Sequence, residues 1–130
     1  MSDRITRQRI MVADDESNLT FFYRMSLEHY GYEGDTFNEP RKALSNFKPD
    51  YYDLIILDIK MPDMDGFELH KRIKEIDPTV KTCFLTASEL YYKEFRTKEY
   101  WTLDKELFLR KPIENRELIE EIKRLIGNKP

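Results

Sequence analysis

The sequence has one cysteine, no long apolar run and nearly balanced charge, and each of these features excludes a class of protein. Cys83 has no partner for an internal disulfide and lies in an apolar run, which favours a small core residue over a reactive thiol. No stretch approaches the roughly 20 apolar residues of a membrane span, and no apolar signal core follows the N-terminal arginines. The 22 Lys and Arg against 25 Asp and Glu provide no basic field for DNA. We therefore predict a soluble, cytoplasmic protein without membrane insertion or direct nucleic-acid binding.

The chain predicts one domain with alternating strands and helices. Its 130 residues suffice for one compact core, which we expect over about 9–127 of a single 1–130 domain with no output domain. Five apolar runs alternate with five amphipathic stretches, a pattern typical of a doubly wound α/β fold. The predicted strands cover 10–13, about 33–37, a run ending at 58, 80–86 and about 107–109. The predicted helices cover a stretch that ends at 31, about 40–47, a stretch that ends at 78, about 89–98, and one closing at 127.

Helical spacing of apolar residues defines the predicted helices. The first carries Leu19, Phe22, Tyr23 and Tyr30, the third Leu69, Ile73 and Ile76, and the last Leu118, Ile122 and Leu125. His29 and His70 lie on predicted helices without partner ligands, so we expect both at the surface and neither as a phosphodonor.

Asp58 is the first candidate for a chemical centre. It ends the most continuous apolar run of the chain, 54–57, and Pro62 and Gly66 follow it closely. Such a run reads as a buried parallel strand that ends in a turn, where open α/β sheets bind their ligands. We therefore expect Asp58 at the mouth of a crevice.

The carboxyl ends of the other predicted strands add polar residues to the same edge, namely Asp14, Asp15, Thr86 and Lys111. Clustered carboxylates repel, and a shared proton or a bound cation resolves the repulsion. An all-oxygen cluster suits Mg²⁺, or Mn²⁺ in its place, and Lys111 supplies a second positive charge. With its charge offset in this way, a carboxylate can attack phosphorus to form an acyl phosphate. The Thr86 hydroxyl is suited to donate to a phosphoryl oxygen.

Each of these residues also has a simpler interpretation. Asp14 and Asp15 could only cap the first helix, Asp58 could be a turn residue, and Lys111 a solvated surface charge. Their joint appearance at the predicted strand ends favours a phosphate and metal site over these separate explanations.

Four motifs in order resemble the receiver domain of two-component response regulators, of the chemotaxis-receiver type, over about 10–126. They are Val12-Ala13-Asp14-Asp15, the apolar run to Asp58 with Met61-Pro62-Asp63-Met64-Asp65-Gly66, Phe84-Leu85-Thr86-Ala87, and Lys111-Pro112. The resemblance implies a flavodoxin-like three-layer fold with sheet order 2-1-3-4-5 and five flanking helices.

The resemblance also implies a function. Asp58 would accept a phosphoryl group from a phosphohistidine of a sensor histidine kinase or phosphotransfer protein. Mg²⁺ would be held by Asp15, Asp58 and the backbone carbonyl of Lys60, with Asp14 acting through its water shell. The chain would be a signalling phosphoacceptor and not an enzyme, apart from its own phosphorylation and dephosphorylation.

A conformational switch is the second part of what the resemblance implies. Thr86 would move toward the phosphoryl group, Phe108 would swing inward, and the face of the last two helices and fifth strand would change for a downstream partner or a second copy of the chain. Because Phe108 has no hydroxyl to hold it at the surface, we expect an inward bias even without phosphate. The Lys111-Pro112 bond is expected to be cis.

Two further positions border the expected phosphoryl group. Ala87 would leave the approach to Asp58 open, and a cation at Lys60 would alter the lifetime of the acyl phosphate. The segment 99–106 departs from the family pattern, and the aromatic residues before and within it favour a mixture of core packing and partner binding: Tyr91, Tyr92, Phe95, Tyr100 and Trp101.

Three other functions compete. A phosphatase of the haloacid dehalogenase type would need a second Asp where Lys60 stands. A flavin binder would need a Ser-, Thr- or Gly-rich phosphate loop where the chain has Asp14, Asp15 and Glu16. A receiver that no longer uses phosphate, and serves only as an interaction module, is the hardest to exclude.

Overall fold

The computed structural model describes residues 7–87 and 108–127, which contain five strands and four helices. The strands are β1 (Arg9–Ala13), β2 (Glu33–Phe37), β3 (Leu54–Asp58), β4 (Lys81–Thr86) and β5 (Phe108–Arg110). The helices are α1 (Ser17–His29), α2 (Pro40–Asn46), α3 (Gly66–Ile76) and α4 (Asn115–Ile126). The strands form one parallel sheet in the order β2-β1-β3-β4-β5. The doubly wound fold and strand order are confirmed, and the helix predicted at 89–98 lies outside the described residues.

The helices cover both faces of the sheet, which gives three layers. Leu69 and Ile73 of α3 pack in one buried cluster with Ile55 and Leu57 of β3. The other cluster joins the opposite face of the sheet to α1 and α4 and includes Ile56 of β3. Because β3 is covered on both sides, all five of its residues are buried, which explains the unbroken apolar run before Asp58.

Helix α3 begins directly beside the end of β3. The Asp65 side chain caps it by accepting a hydrogen bond from the Glu68 backbone N–H at 2.9 Å. Gly66 is required there, because a Cβ at this position would lie 2.3 Å from the Asp58 carbonyl oxygen. The Gly66 N–H also donates to the Ile59 carbonyl at 2.8 Å. The loop after Asp58 is thus anchored at the start of α3.

Three expectations about exposure were wrong or incomplete. Phe22 and Tyr30, predicted on the apolar stripe of the first helix, are exposed, and so is Ile76. The buried stripe of α1 is narrower: Tyr23 and Leu27 lie inward beside the small polar residues Thr20 and Ser26. Tyr30 lies beyond the last residue of α1, as its C-cap.

His70 was expected at the surface, and this was wrong. It is only 9% exposed, because it occurs on the sheet-facing side of α3, three residues after the buried Phe67. Its ring packs edge-on against Phe84 at 5.3 Å between centroids. The surface position of His29 and the core position of Cys83 are confirmed.

Small differences occur at the element ends. β4 begins at Lys81, one residue later than expected, and β5 extends to Arg110.

Among the described helices, none is long and apolar enough to cross a bilayer.

Candidate functional site

The ends of four strands and turns surround one cavity of about 510 Å³ at the carboxyl edge of the sheet. Asp58 is the last residue of β3, and Thr86 is the last residue of β4. Lys111 follows β5 directly. The residues lining the cavity are Asp15, Glu16, Asp58, Lys60, Met61, Pro62, Thr86, Ala87 and Lys111. The strand-end residues predicted from the sequence therefore come together, with Asp14 behind them.

The Lys111 ammonium is shared among three carboxylates. Its Nζ lies 2.7 Å from Asp14 Oδ2, 3.3 Å from Asp58 Oδ1 and 3.5 Å from Glu16 Oε1. The Lys111 side chain is 9% exposed, that of Asp58 7% and that of Asp14 0%. Because water screens these charges poorly, their mutual interactions are strong. One cation thus faces two buried carboxylates, and negative charge is in excess.

The pKa values follow from this imbalance. Burial and then the charge of Asp14 raise the pKa of Asp58 to about 7, against the opposing effect of Lys111. Burial likewise raises the pKa of Asp14, although Lys111 and the Glu16 N–H favour its ionised form. Burial disfavours the charged Lys111, but the hydrogen bond to Asp14 and the two carboxylate charges outweigh it and raise the lysine pKa. The folded chain therefore holds a carboxylate that lacks full charge compensation.

The excess charge is well placed to hold a metal ion. Asp14, Asp15 and Asp58 each offer an oxygen, and these oxygens lie within 4.8 Å of one another. A set made only of carboxylate oxygens suits a hard divalent cation. Asp15 is exposed whereas the other two are buried, so the group opens to solvent on one side. A cation bound there would retain water.

Asp14 is fixed by hydrogen bonds to its side chain and to its backbone carbonyl. Its Oδ1 accepts from the Glu16 N–H at 3.0 Å, which closes the turn before α1. The side-chain amide of Asn38 donates to the Asp14 carbonyl at 3.0 Å and to Thr20 Oγ1 at 2.8 Å. Asn38 and Thr20 are far apart in the sequence, and neither belongs to a strand-end motif. Asn38 thus fixes the backbone of Asp14 and joins it to Thr20 of α1.

The backbone around Lys111 and Thr86 is also fixed. The Lys111 N–H donates to the Thr86 carbonyl at 2.9 Å, and the Lys111-Pro112 bond is cis, as expected. Thr86 is buried, and Ala87 lines the cavity. The half-buried Phe108 ring stacks on Phe84 with centroids 5.1 Å apart and an interplanar angle of 18°. The Phe108 ring therefore rests against the core.

Two features of the structure were not predicted from the sequence. Glu16 was considered only as part of an acidic loop, yet its carboxylate reaches Lys111. Helix α1 also carries exposed apolar side chains, with Phe21 64% and Met25 52% exposed. Their spacing of four residues places both on one face of the helix, which was the available signal.

Comparisons with known proteins agree with this geometry. The family model of the response regulator receiver domain matches residues 10–123. The response regulator ArlR of Staphylococcus aureus is 30% identical over 122 residues, which cover 94% of this chain and 54% of ArlR. The transcriptional regulatory protein TrcR of Mycobacterium tuberculosis is 35% identical over 81 residues, 62% of this chain and 32% of TrcR. The chain thus spans about half or less of these relatives.

Solved structures give the same answer. A CheY-like receiver domain protein of Methanospirillum hungatei is 26% identical with a TM-score of 0.76, over 92% of this chain and 93% of that one. TrrA of Thermotoga maritima, solved in complex with Mg²⁺ and BeF, is 33% identical with a TM-score of 0.73, over 91% of this chain and 98% of that one. With the family match over most of its length and the aspartate cluster at the sheet edge, this chain belongs to the response regulator receiver domains of two-component signalling.

Proposed function

We propose that Asp58 is the phosphoacceptor and that Mg²⁺ is required for its phosphorylation. The donor is a phosphohistidine on a sensor histidine kinase or phosphotransfer protein. The supporting observation is the Asp58 carboxylate, 7% exposed, at a cavity that it shares with Lys111 and Asp15. A nucleophile, a cation and a candidate metal cluster thus occur within one small volume.

The reaction transfers a phosphoryl group between two side chains. An Asp58 carboxylate oxygen attacks phosphorus, the new P–O bond forms, and the P–N bond to the donor imidazole breaks. Lys111 is close enough to leave Asp14 and donate to a phosphoryl oxygen, since it already lies 3.3 Å from Asp58. The Thr86 hydroxyl, at the end of the neighbouring strand, donates to another.

Mg²⁺ fits the residues present. Asp15, Asp58 and the Lys60 backbone carbonyl would hold it, and Asp14 would contact its bound water. When bound, the ion offsets the negative charge of the carboxylates and of the phosphoryl oxygens. The presence of Lys60 where a haloacid-dehalogenase-type phosphatase needs a second aspartate disfavours phosphatase activity.

The phosphorylated state would be transmitted through β5. Thr86 and Phe108 are the proposed switch residues, and the face formed by β5, α4 and the helix predicted at 89–98 is the proposed output surface. A downstream effector or a second copy of the chain would bind there. The stacking of Phe108 on Phe84 supports an inward position of this ring.

The exposed face of α1 supports a protein as the phosphodonor. Phe21 and Met25 project to solvent on the helix that begins directly after Asp15 and Glu16. A donor protein must cover the surface around the cavity mouth to bring its histidine to Asp58. Exposed aromatic and methionine side chains are suited to such a contact.

Treatment with acetyl phosphate tests the proposed function. Wild type should gain the mass of one phosphoryl group in Mg²⁺ and not in EDTA, while Asp58→Asn should gain none in either, as read by intact-protein mass spectrometry. Sustained turnover of a phosphate ester would instead support a phosphatase. No Mg²⁺-dependent gain in wild type would support a receiver that serves only as an interaction module.

The raised pKa of Asp58 predicts a pH-dependent stability of the metal-free protein. The pKa is about 7 in the folded chain and near 3.8 when unfolded. At a pH between these two values, Asp58 is protonated in the folded chain and ionised in the unfolded chain. The free energy of unfolding therefore falls as the pH rises. Near pH 8, Asp58→Asn should be more stable than wild type by roughly 1–3 kcal/mol, and the gap should close near pH 4.

Urea unfolding of both proteins in EDTA measures this gap at each pH. His70, whose pKa burial lowers to about 4, is common to both proteins and cancels in the difference. Asp15→Asn, at an exposed position, is the matched control and should change stability by less than about 0.5 kcal/mol. A gap for Asp58→Asn that stays the same in acid would refute the charge explanation.

Lys60 is expected to prolong the acyl phosphate. Its exposed side chain lines the cavity beside Asp58, where an ammonium group attracts the phosphoryl oxygens and obstructs incoming water. Lys60→Ala should speed dephosphorylation roughly two- to fivefold, because the free energy of an exposed ion pair corresponds to a rate change of this size. Lys60→Arg keeps the positive charge and should not change the rate. Decay of ³²P label after removal of the donor gives both rates. Identical decay curves for Lys60→Ala and wild type would contradict the prediction.

The α1 face is tested by separating protein donors from small ones. Replacing Phe21 and Met25 by serine should slow phosphotransfer from a histidine kinase that phosphorylates wild type by roughly tenfold or more. Phosphorylation by acetyl phosphate should be unchanged and serves as the control. Equal slowing with both donors would show that the substitutions disturb the site itself, contrary to a docking role.

A further inference from the structure

His70 is a buried polar side chain that the proposed mechanism does not use. It lies on α3 facing the sheet, within the otherwise apolar cluster that contains Leu57 and Ile73. Its Nδ1 is 3.1 Å from the hydroxyl oxygen of Thr82 on β4. A buried polar group is retained at low cost only when it is hydrogen-bonded, and this contact meets the requirement. Burial lowers the pKa of His70 to about 4, so the ring is neutral at neutral pH.

The His70 ring contacts Phe84, and the Phe108 ring stacks on the same Phe84. Phe84 is fully buried, and the His70 ring packs against it at 5.3 Å and 66°. Phe108 stacks on Phe84 at 5.1 Å and 18°. The two phenylalanines are register partners of β4 and β5, so they are neighbours on one face of the sheet. Displacement of Phe84 would therefore displace the surface on which Phe108 rests.

The strand β4 links this packing to the cavity. Side chains alternate along a strand, so Thr82, Phe84 and Thr86 project from the same face. His70 contacts the first two, and Thr86 lines the cavity. Because protein interiors are close-packed, a change of the side chain beside Phe84 would be met in part by movement of these rings.

We propose that His70 is a positioning residue that sets the resting place of the Phe108 ring through Phe84, and that it thereby sets the affinity of the chain for a phosphoryl group or its analogue. The first half stands on packing alone, and the second half rests on the proposed function. The link between them is thermodynamic: a change in the population of one ring position changes the affinity of any ligand that prefers it.

Fluorine NMR tests the first half without any phosphodonor. 4-Fluorophenylalanine is placed at position 108 in the full chain, and spectra are compared for wild type, His70→Leu and Thr82→Val. His70→Leu should shift and broaden the resonance, because it removes the ring and the hydrogen bond. Ile122→Val is the matched control, since Ile122 is buried on α4 in the cluster on the opposite face of the sheet. It should leave the resonance in place.

An unmoved resonance in His70→Leu overturns the proposal, as does an equal shift in Ile122→Val. If His70→Leu does not fold, Thr82→Val decides: it nearly keeps the volume of the side chain but replaces the hydroxyl with a methyl group, which removes the hydrogen bond to His70. A shifted resonance in that variant supports positioning, and an unmoved one overturns it.

Affinity for beryllofluoride with Mg²⁺ tests the second half. His70→Leu should bind it roughly three- to tenfold more weakly than wild type, whereas Ile122→Val should bind it equally. Equal affinity for His70→Leu and wild type, despite a shifted resonance, overturns the coupling. Absence of binding to wild type would count against the proposed function and the coupling together, while the fluorine spectra would still decide the role of His70 in packing.

Discussion

The sharing of Lys111 between Asp14 and Asp58 is the interaction on which the site depends. Three strand ends must converge to bring these groups within 3.3 Å of the same ammonium nitrogen. Loss of Lys111 would leave two buried carboxylates without a cation, which is costly. Yet one lysine cannot neutralise two carboxylates, so the arrangement remains electrostatically incomplete. The excess negative charge explains both parts of the proposed chemistry. It favours the binding of a cation, and it allows Lys111 to rearrange when Asp58 accepts a phosphoryl group.

The fold supplies the rigidity that this cluster needs. Asp58 ends a strand that is buried on both faces, and the backbone beyond it is fixed by the bond from Ile59 N–H to the Leu85 carbonyl at 3.0 Å. Gly66 then allows α3 to start in contact with the Asp58 carbonyl. Catalytic and binding groups held on strand ends in this way keep their geometry, while the exposed side of the cavity stays open to a partner.

The fold and the members of the cluster could be predicted because both follow from local patterns. A parallel strand that is covered on both faces needs a continuous apolar run, and the end of that run located Asp58. Polar residues at the ends of the other strands located Asp14 and Lys111.

The burial of His70 could not be predicted in this way, because a histidine on a helix faces the core only when a partner such as Thr82 stands opposite. The predicted burial of Phe22 was wrong for a related reason, because the width of the buried stripe on a helix depends on the residues packed against it.

A crystal structure of this chain with Mg²⁺ and beryllofluoride tests the central role of Lys111 most directly. We expect beryllofluoride on a carboxylate oxygen of Asp58, the metal on Asp15 and Asp58, and Lys111 turned away from Asp14 toward a fluoride. A structure in which Lys111 keeps its contact with Asp14, and in which beryllofluoride binds away from Asp58, would contradict it.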